Sequence, residues 1–161
     1  MTSFPPFVRH GLDASQIQLR DLGIELSVLV PSAATAGSFC LIEERTQPGA
    51  GPPLHVHAHQ DEWFYFQEGS YLLRIDDEEW RVGPGDVAVV PKGVPHGFAN
   101  VGTTTGRFLF TLTPAMDAER FFQRLGDLLR QGPPDPDRIN AAFATEGFSI
   151  TGPPLLATAR A

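Results

Sequence analysis

Three histidines and a glutamate stand at spacings that suit a divalent transition ion: His55-Val-His57, Glu62 just beyond, and His96 farther along the chain. Neutral imidazole and carboxylate are the ligands such ions prefer. His55 and His57 are two apart, which on an extended segment puts both rings on one face, because side chains alternate with period two. His96, Phe98 and Asn100 share a face in the same way. Glu62 shares one with Phe64 and Phe66, while Trp63 and Tyr65 point away. Strands folded into one barrel can bring the three nitrogens and one oxygen to a point. A six-coordinate ion held so keeps two adjacent positions open for substrate, water or dioxygen. That is close to the His/carboxylate facial site of non-haem iron enzymes, with one extra imidazole.

The remaining polar candidates carry less. His59, in the same loop, allows an alternative ligand, but a place beside the site or in solvent is the preferred reading. His10 has no supporting context. Gly49, Gly69, Gly85 and Gly93 fall at strand junctions that require positive φ or close backbone approach. Pro91 and Pro95 stiffen the loop that delivers His96, and Asn100 reads as a turn former bonded to its own backbone. Cys40 lies mid-strand on the face opposite Phe39 and Leu41, and reads as a buried structural thiol.

The elements that must position these residues are short strands. Candidate runs are Ile24–Val30, Ser38–Thr46, Glu62–Gln67, Tyr71–Ile75, Glu79–Val82, Val87–Val90, His96–Asn100 and Arg107–Thr113. The gap at Gly69 predicts a hairpin between the aromatic run Glu62–Gln67 and Tyr71–Ile75. After Pro114 the period changes. Phe121, Phe122, Leu125, Leu128 and Leu129 are helically spaced within 117–131, and a second helix is expected from Asp135, with Pro136 in its first turn, to Glu146. Pro153-Pro154 is expected to end regular structure. The predicted layout is an N-terminal arm over 1–20, a barrel over 21–113 and a helical tail over 114–161 packed on the barrel.

Composition agrees with one β-rich domain. The chain has 161 residues, 42% of them hydrophobic, with 16 Gly and 15 Pro to serve many tight turns. Phe outnumbers the other aromatics, 12 against 2 Trp and 2 Tyr, so the interior has few polar handles. A net charge of −7 argues against nucleic-acid and anionic-membrane surfaces, which need a basic face. One cysteine excludes an intrachain disulfide and fits a reducing compartment. No signal peptide or membrane span is visible, and a cytoplasmic location is expected.

Gly49-x5-His55-x-His57-x4-Glu62-x6-Gly69 resembles the first motif of the cupins, and Gly85-x5-Pro91-x-Gly93-x2-His96-x3-Asn100 resembles the second. The resemblance covers about residues 20–113; the tail looks like that of small bacterial single-domain cupins grouped with quercetin dioxygenases. It implies an all-β fold, a double-stranded β-helix (jelly-roll) barrel with a short helical C-terminal appendage. It implies His55, His57, Glu62 and His96 as ligands to one divalent transition ion, iron foremost for a dioxygenase, with manganese, nickel, zinc, copper or cobalt as alternatives. It also implies a homodimer.

The favoured expectation is a quercetinase-like dioxygenase, an oxidoreductase acting on a small aromatic or enol-type substrate. Glu62 would serve as ligand and as catalytic base. Phe64, Phe66 and Phe98 are expected to line the substrate pocket because they share faces with the ligands. Phe39, Leu41, Phe108 and Phe110 are further candidates, with core packing as their alternative role. A Lewis-acid isomerase, cyclase or lyase, or a small-molecule-binding cupin without turnover, are the competing expectations.

Overall fold

The computed structural model describes residues 4–158. The first three residues of the expected arm and the last three of the expected tail lie outside the described residues. The strands are β1 (Ser15–Leu19), β2 (Ile24–Val30), β3 (Cys40–Thr46), β4 (Pro53–His57), β5 (Asp61–Glu68), β6 (Tyr71–Ile75), β7 (Glu78–Val82), β8 (Val87–Val90), β9 (His96–Asn100), β10 (Gly106–Thr113) and β11 (Phe148–Pro154). The helices are α1 (Ala118–Leu129), α2 (Pro136–Phe143) and α3 (Leu155–Thr158). One sheet runs β1-β2-β3-β10-β5-β8, the other β11-β4-β9-β6-β7, and every pairing is antiparallel. The two sheets face each other as the walls of a jelly-roll barrel, the all-β architecture expected.

Alternation decides what fills it. On β5, Glu62, Phe64 and Phe66 are buried while Trp63 and Tyr65 are half exposed. Register sets the inward residues of the six-stranded sheet abreast in rows. Val90, Glu62, Leu112 and Cys40 form one row; Phe64, Phe110, Ile42 and Val28 the next; Phe66, Phe108, Glu44, Leu26 and Ile17 the third. Most of these side chains are apolar and fully buried, so the barrel is closed by packing of phenylalanine rings, edge to face in several pairs.

Three sequence expectations are corrected. β5 and β6 do not form a hairpin. β5 pairs with β10 and β8, and β6 pairs with β7 and β9, so the chain crosses from one sheet to the other at Gly69 (φ 93°). The short gap mimics a hairpin loop, but both strands have an apolar face that must meet the same core from opposite sides. Regular structure does not end at the Pro153-Pro154 pair. The tail contributes β11, which pairs with β4 through Phe148–His57 and Ile150–His55 before α3 begins. Phe39 and Leu41 do not face inward; Cys40, Ile42, Glu44 and Thr46 are the buried set of β3.

The helices follow expectation more closely. Asp135 caps α2, its carboxylate accepting from the Asp137 and Arg138 amides, with Pro136 in the first turn. α1 buries Phe121, Leu125 and Leu129 against the barrel. Its Glu119 accepts hydrogen bonds from the Ser32 amide and hydroxyl, which fastens the helix to the turn after β2. Arg124 pairs with Glu146 and sits 5.0 Å over the Phe143 ring, joining α1 to α2.

Asn100 does more than form a turn. Fully buried, it accepts from the Gly102 amide (2.9 Å) and donates to the carbonyls of Thr104 (2.9 Å) and Thr46 (2.8 Å), tying β9 to the end of β3. Asn100→Ala is therefore expected to cost on the order of 2–3 kcal/mol, because it orphans buried polar groups. Urea unfolding measures it; a loss within about 0.5 kcal/mol of zero, the range of ordinary surface changes, would contradict this role.

Candidate metal centre

The ligand-type side chains come from both walls of the barrel. His55 on β4 lies directly across from His96 on β9, and His57 follows on the same face of β4. Glu62 reaches in from β5 on the opposing sheet. All four are buried, and one ligand atom from each lies within 4.8 Å of every other. Glu62 Oε2 is 2.9 Å from His96 Nε2 and 3.5 Å from His57 Nε2. The four expected ligands are thus brought together as one cluster, with the donor set of a divalent transition-metal site.

Backbone carbonyls orient two of the rings. His55 Nδ1 lies 2.8 Å from the Pro53 carbonyl and His96 Nδ1 lies 3.0 Å from that of Val94. A carbonyl only accepts, so Nδ1 carries the hydrogen in both and Nε2 of His55 keeps a free lone pair. This outer support is the usual means of fixing the tautomer of a metal-ligating histidine.

Electrostatics favour the neutral, ligand-competent form of two of the three imidazoles. Burial, then the neighbouring His96 and His57, pushes the His55 pKa well below its ordinary value. Burial likewise lowers that of His57, against the opposing pull of Glu62. For His96 burial also lowers, but the hydrogen bond to Glu62 and its charge outweigh it, and the net shift is upward. A cation on the cluster would take the place of the proton shared between His96 and Glu62. The residues fit such an ion in donor type, burial and tautomer.

His55, His57 and Glu62 open on a cavity of about 70 Å³; His96 sits behind them, almost wholly buried. Phe64, Phe98 and Phe110 line this cavity, whereas Phe66 and Phe108 are fully buried in the core behind it. Phe39 and Leu41 lie off it, on the other face of β3. The mouth is covered by Phe121, Phe122, Leu125 and Leu129 of α1, Ile139 of α2, and Phe148 and Ile150 of β11. Beyond Phe121 and Phe148 lies an outer hollow of about 370 Å³ that also reaches His57. Their rings, 5.0 Å apart between centroids, partition the two spaces.

Some residues of the site were not singled out from sequence. Glu44 lines the cavity from β3. Gln60, buried beside His57 in the outer hollow, donates to the Pro114 and Ala115 carbonyls at 3.0 Å and ties the ligand loop to the start of the tail. The polar residues Glu44 and Thr46 alternating with β3's other face were the available signal for the first; nothing local marked Phe148. His59 is exposed and packs against Gly147, away from the cluster. Cys40 is fully buried, and burial pushes its thiol up to about 11, which makes it inert. Among the described residues no helix is long and apolar enough to cross a membrane.

Comparison with known proteins supports the same assignment. The family model described as "Cupin domain" matches residues 42–112. The tetracenomycin polyketide synthase protein TcmJ of Streptomyces glaucescens is 30% identical over 114 residues, covering 71% of this chain and 69% of TcmJ. The structure of the polyketide cyclase RemF from Streptomyces resistomycificus aligns with TM-score 0.58 at 29% identity, over 68% of this chain and 80% of RemF. An RmlC-like cupin from Shewanella frigidimarina aligns with TM-score 0.61 at 20% identity, over 73% of this chain and 99% of that one, and shows the shared fold. With both motifs, the two-sheet barrel and these relatives in agreement, the chain belongs to the cupin family.

Proposed function

We propose that the protein is a metal-dependent cupin enzyme acting on a small phenolic or enolisable substrate, in a cyclase, isomerase or lyase reaction. The observation that carries this is the buried His55/His57/Glu62/His96 cluster, three of whose members face an otherwise largely apolar cavity. A bound divalent ion would supply Lewis-acid polarisation of a carbonyl or enol oxygen there. Glu62 is the one carboxylate among the four groups and the natural acceptor for a phenol or enol proton. Phe64, Phe98, Phe110 and the lid residues Phe121 and Phe148 exclude water from that proton transfer.

Two relatives support the class of chemistry: RemF is a polyketide cyclase, and TcmJ belongs to a polyketide synthase. The cavity limits what fits. About 70 Å³ accommodates on the order of five waters, or a single ring. A multi-ring substrate would require α1 to move outward from the mouth. The dioxygenase reading uses the same four residues and the same cavity, and differs in requiring dioxygen.

Elemental analysis of protein purified without chelators or metal-affinity resin is expected to find one transition ion per chain. Loaded protein is then screened with small phenols and 1,3-diketones under air and under argon. Turnover that persists under argon is expected. Turnover abolished by argon would establish the dioxygenase instead, and saturable binding with no product would leave a binding cupin.

A further inference from the structure

The cavity holds a second acid that the metal cluster does not use. Glu44 projects from β3 into the barrel, two rows along the sheet from Glu62, and lines the same cavity. It is 5% exposed. Among the described residues its carboxyl has one hydrogen-bond partner, the Thr46 hydroxyl, 2.8 Å from Oε1. Oε2 has none. Its neighbours across the sheet are Phe108 and Leu26, which offer no side-chain polar atom, and most of the cavity lining is apolar. Polar groups this deep are ordinarily paired, and an unpaired one facing a cavity asks for a ligand.

We propose that Glu44 is a specificity-determining residue, the contact for an oxygen acceptor on the far side of a one-ring substrate whose near side is held at the His55/His57/Glu62/His96 cluster. The inference rests on the metal-cavity reading above and adds the second anchor point. Burial, partly opposed by the Thr46 hydroxyl and reinforced by Glu62, pushes the Glu44 carboxyl up to about 8, so it is protonated and able to donate at neutral pH. A substrate with only a chelating end leaves this donor unpaired; one with a carbonyl or ether oxygen opposite its chelating end satisfies it. Discrimination follows from the cost of leaving a buried donor without a partner.

The test uses full-length wild type, Glu44→Gln and Glu44→Leu, each loaded with Mn(II). The probes are catechol and 3,4-dihydroxybenzaldehyde, which share a chelating end and differ in a distal carbonyl. Calorimetry is expected to show the wild type favouring the aldehyde by about tenfold, the worth of one buried hydrogen bond. Glu44→Gln, whose amide still donates, keeps most of that preference, and Glu44→Leu loses it. In infrared difference spectra, the carboxyl C=O band that Glu44→Gln removes should shift when the aldehyde binds and stay put with catechol. Equal manganese content in all three proteins, with the same probe ratio in wild type and Glu44→Leu, would overturn the role of Glu44 alone. No manganese uptake by the wild type would instead overturn the metal reading on which it stands.

Discussion

Replacing Glu62 with alanine is expected to lower affinity for Mn(II) or Zn(II) by more than about 100-fold, since loss of outer-shell support alone typically costs 10–100-fold. The same substitution should abolish the thermal stabilisation that the metal gives the wild type. The structural reason is where the four groups originate. Three imidazoles stand on the β4-β9 side and the single carboxylate on the facing sheet, so an ion held by all four ties the two walls together. A ligand that binds only the folded state stabilises it by about 2.7 kcal/mol at a hundredfold excess over its Kd. Titration calorimetry and melting curves with and without added metal read both effects. His57→Ala should behave alike. A variant lacking Glu62 that melts higher with metal by as much as the wild type would show that the cluster is not the binding site.

Glu44→Gln is expected to make the protein more stable at pH 8 than the wild type, by on the order of 4 kcal/mol. The Glu44 carboxyl titrates near 4.5 when unfolded and near 8 when folded. Between those values the folded state binds one more proton than the unfolded state, so the wild type loses stability as pH rises through that window, and the loss is complete above about 8. Below 4.5 both states are protonated and the group contributes no difference. The glutamine does not titrate and removes this slope. The histidine cluster titrates in both proteins, so the comparison isolates Glu44. Metal-free melting temperatures from pH 5 to pH 9 provide the check, and parallel curves for the two proteins would refute the burial argument.

Much of the centre was legible before the fold was known, because ligand spacing is a local property. His55 and His57 on alternate positions of one strand need only extended backbone to share a face, and β4 provides it. The Asp135-Pro136 pair marked the start of α2, and helical spacing marked the buried face of α1. Inwardness was harder to read. On β3 the more hydrophobic alternating set, Phe39 and Leu41, suggested the core, yet the barrel buries Cys40, Ile42, Glu44 and Thr46. Period two defines two faces without saying which one the opposing sheet will cover. Glu44 is tolerated inside because it is protonated and bonded to Thr46, an arrangement that depends on three dimensions. β11 was hidden for another reason. Phe148-Ser-Ile-Thr-Gly-Pro-Pro carries turn residues that ordinarily interrupt strands, and prolines are tolerated in it because the strand lies at the sheet edge.

That edge position governs how the centre comes into being. β4 is flanked by β9 on one side and β11 on the other, and its register with β9 is a single residue pair, whereas β11 meets it at four positions. During synthesis, the segment bearing His55 and His57 leaves the ribosome long before residues 148–154. Until those residues arrive, two of the four donors ride on a strand whose outer flank is bare. Full pairing of the strand that carries these two donors is thereby completed only after translation of the β11 segment.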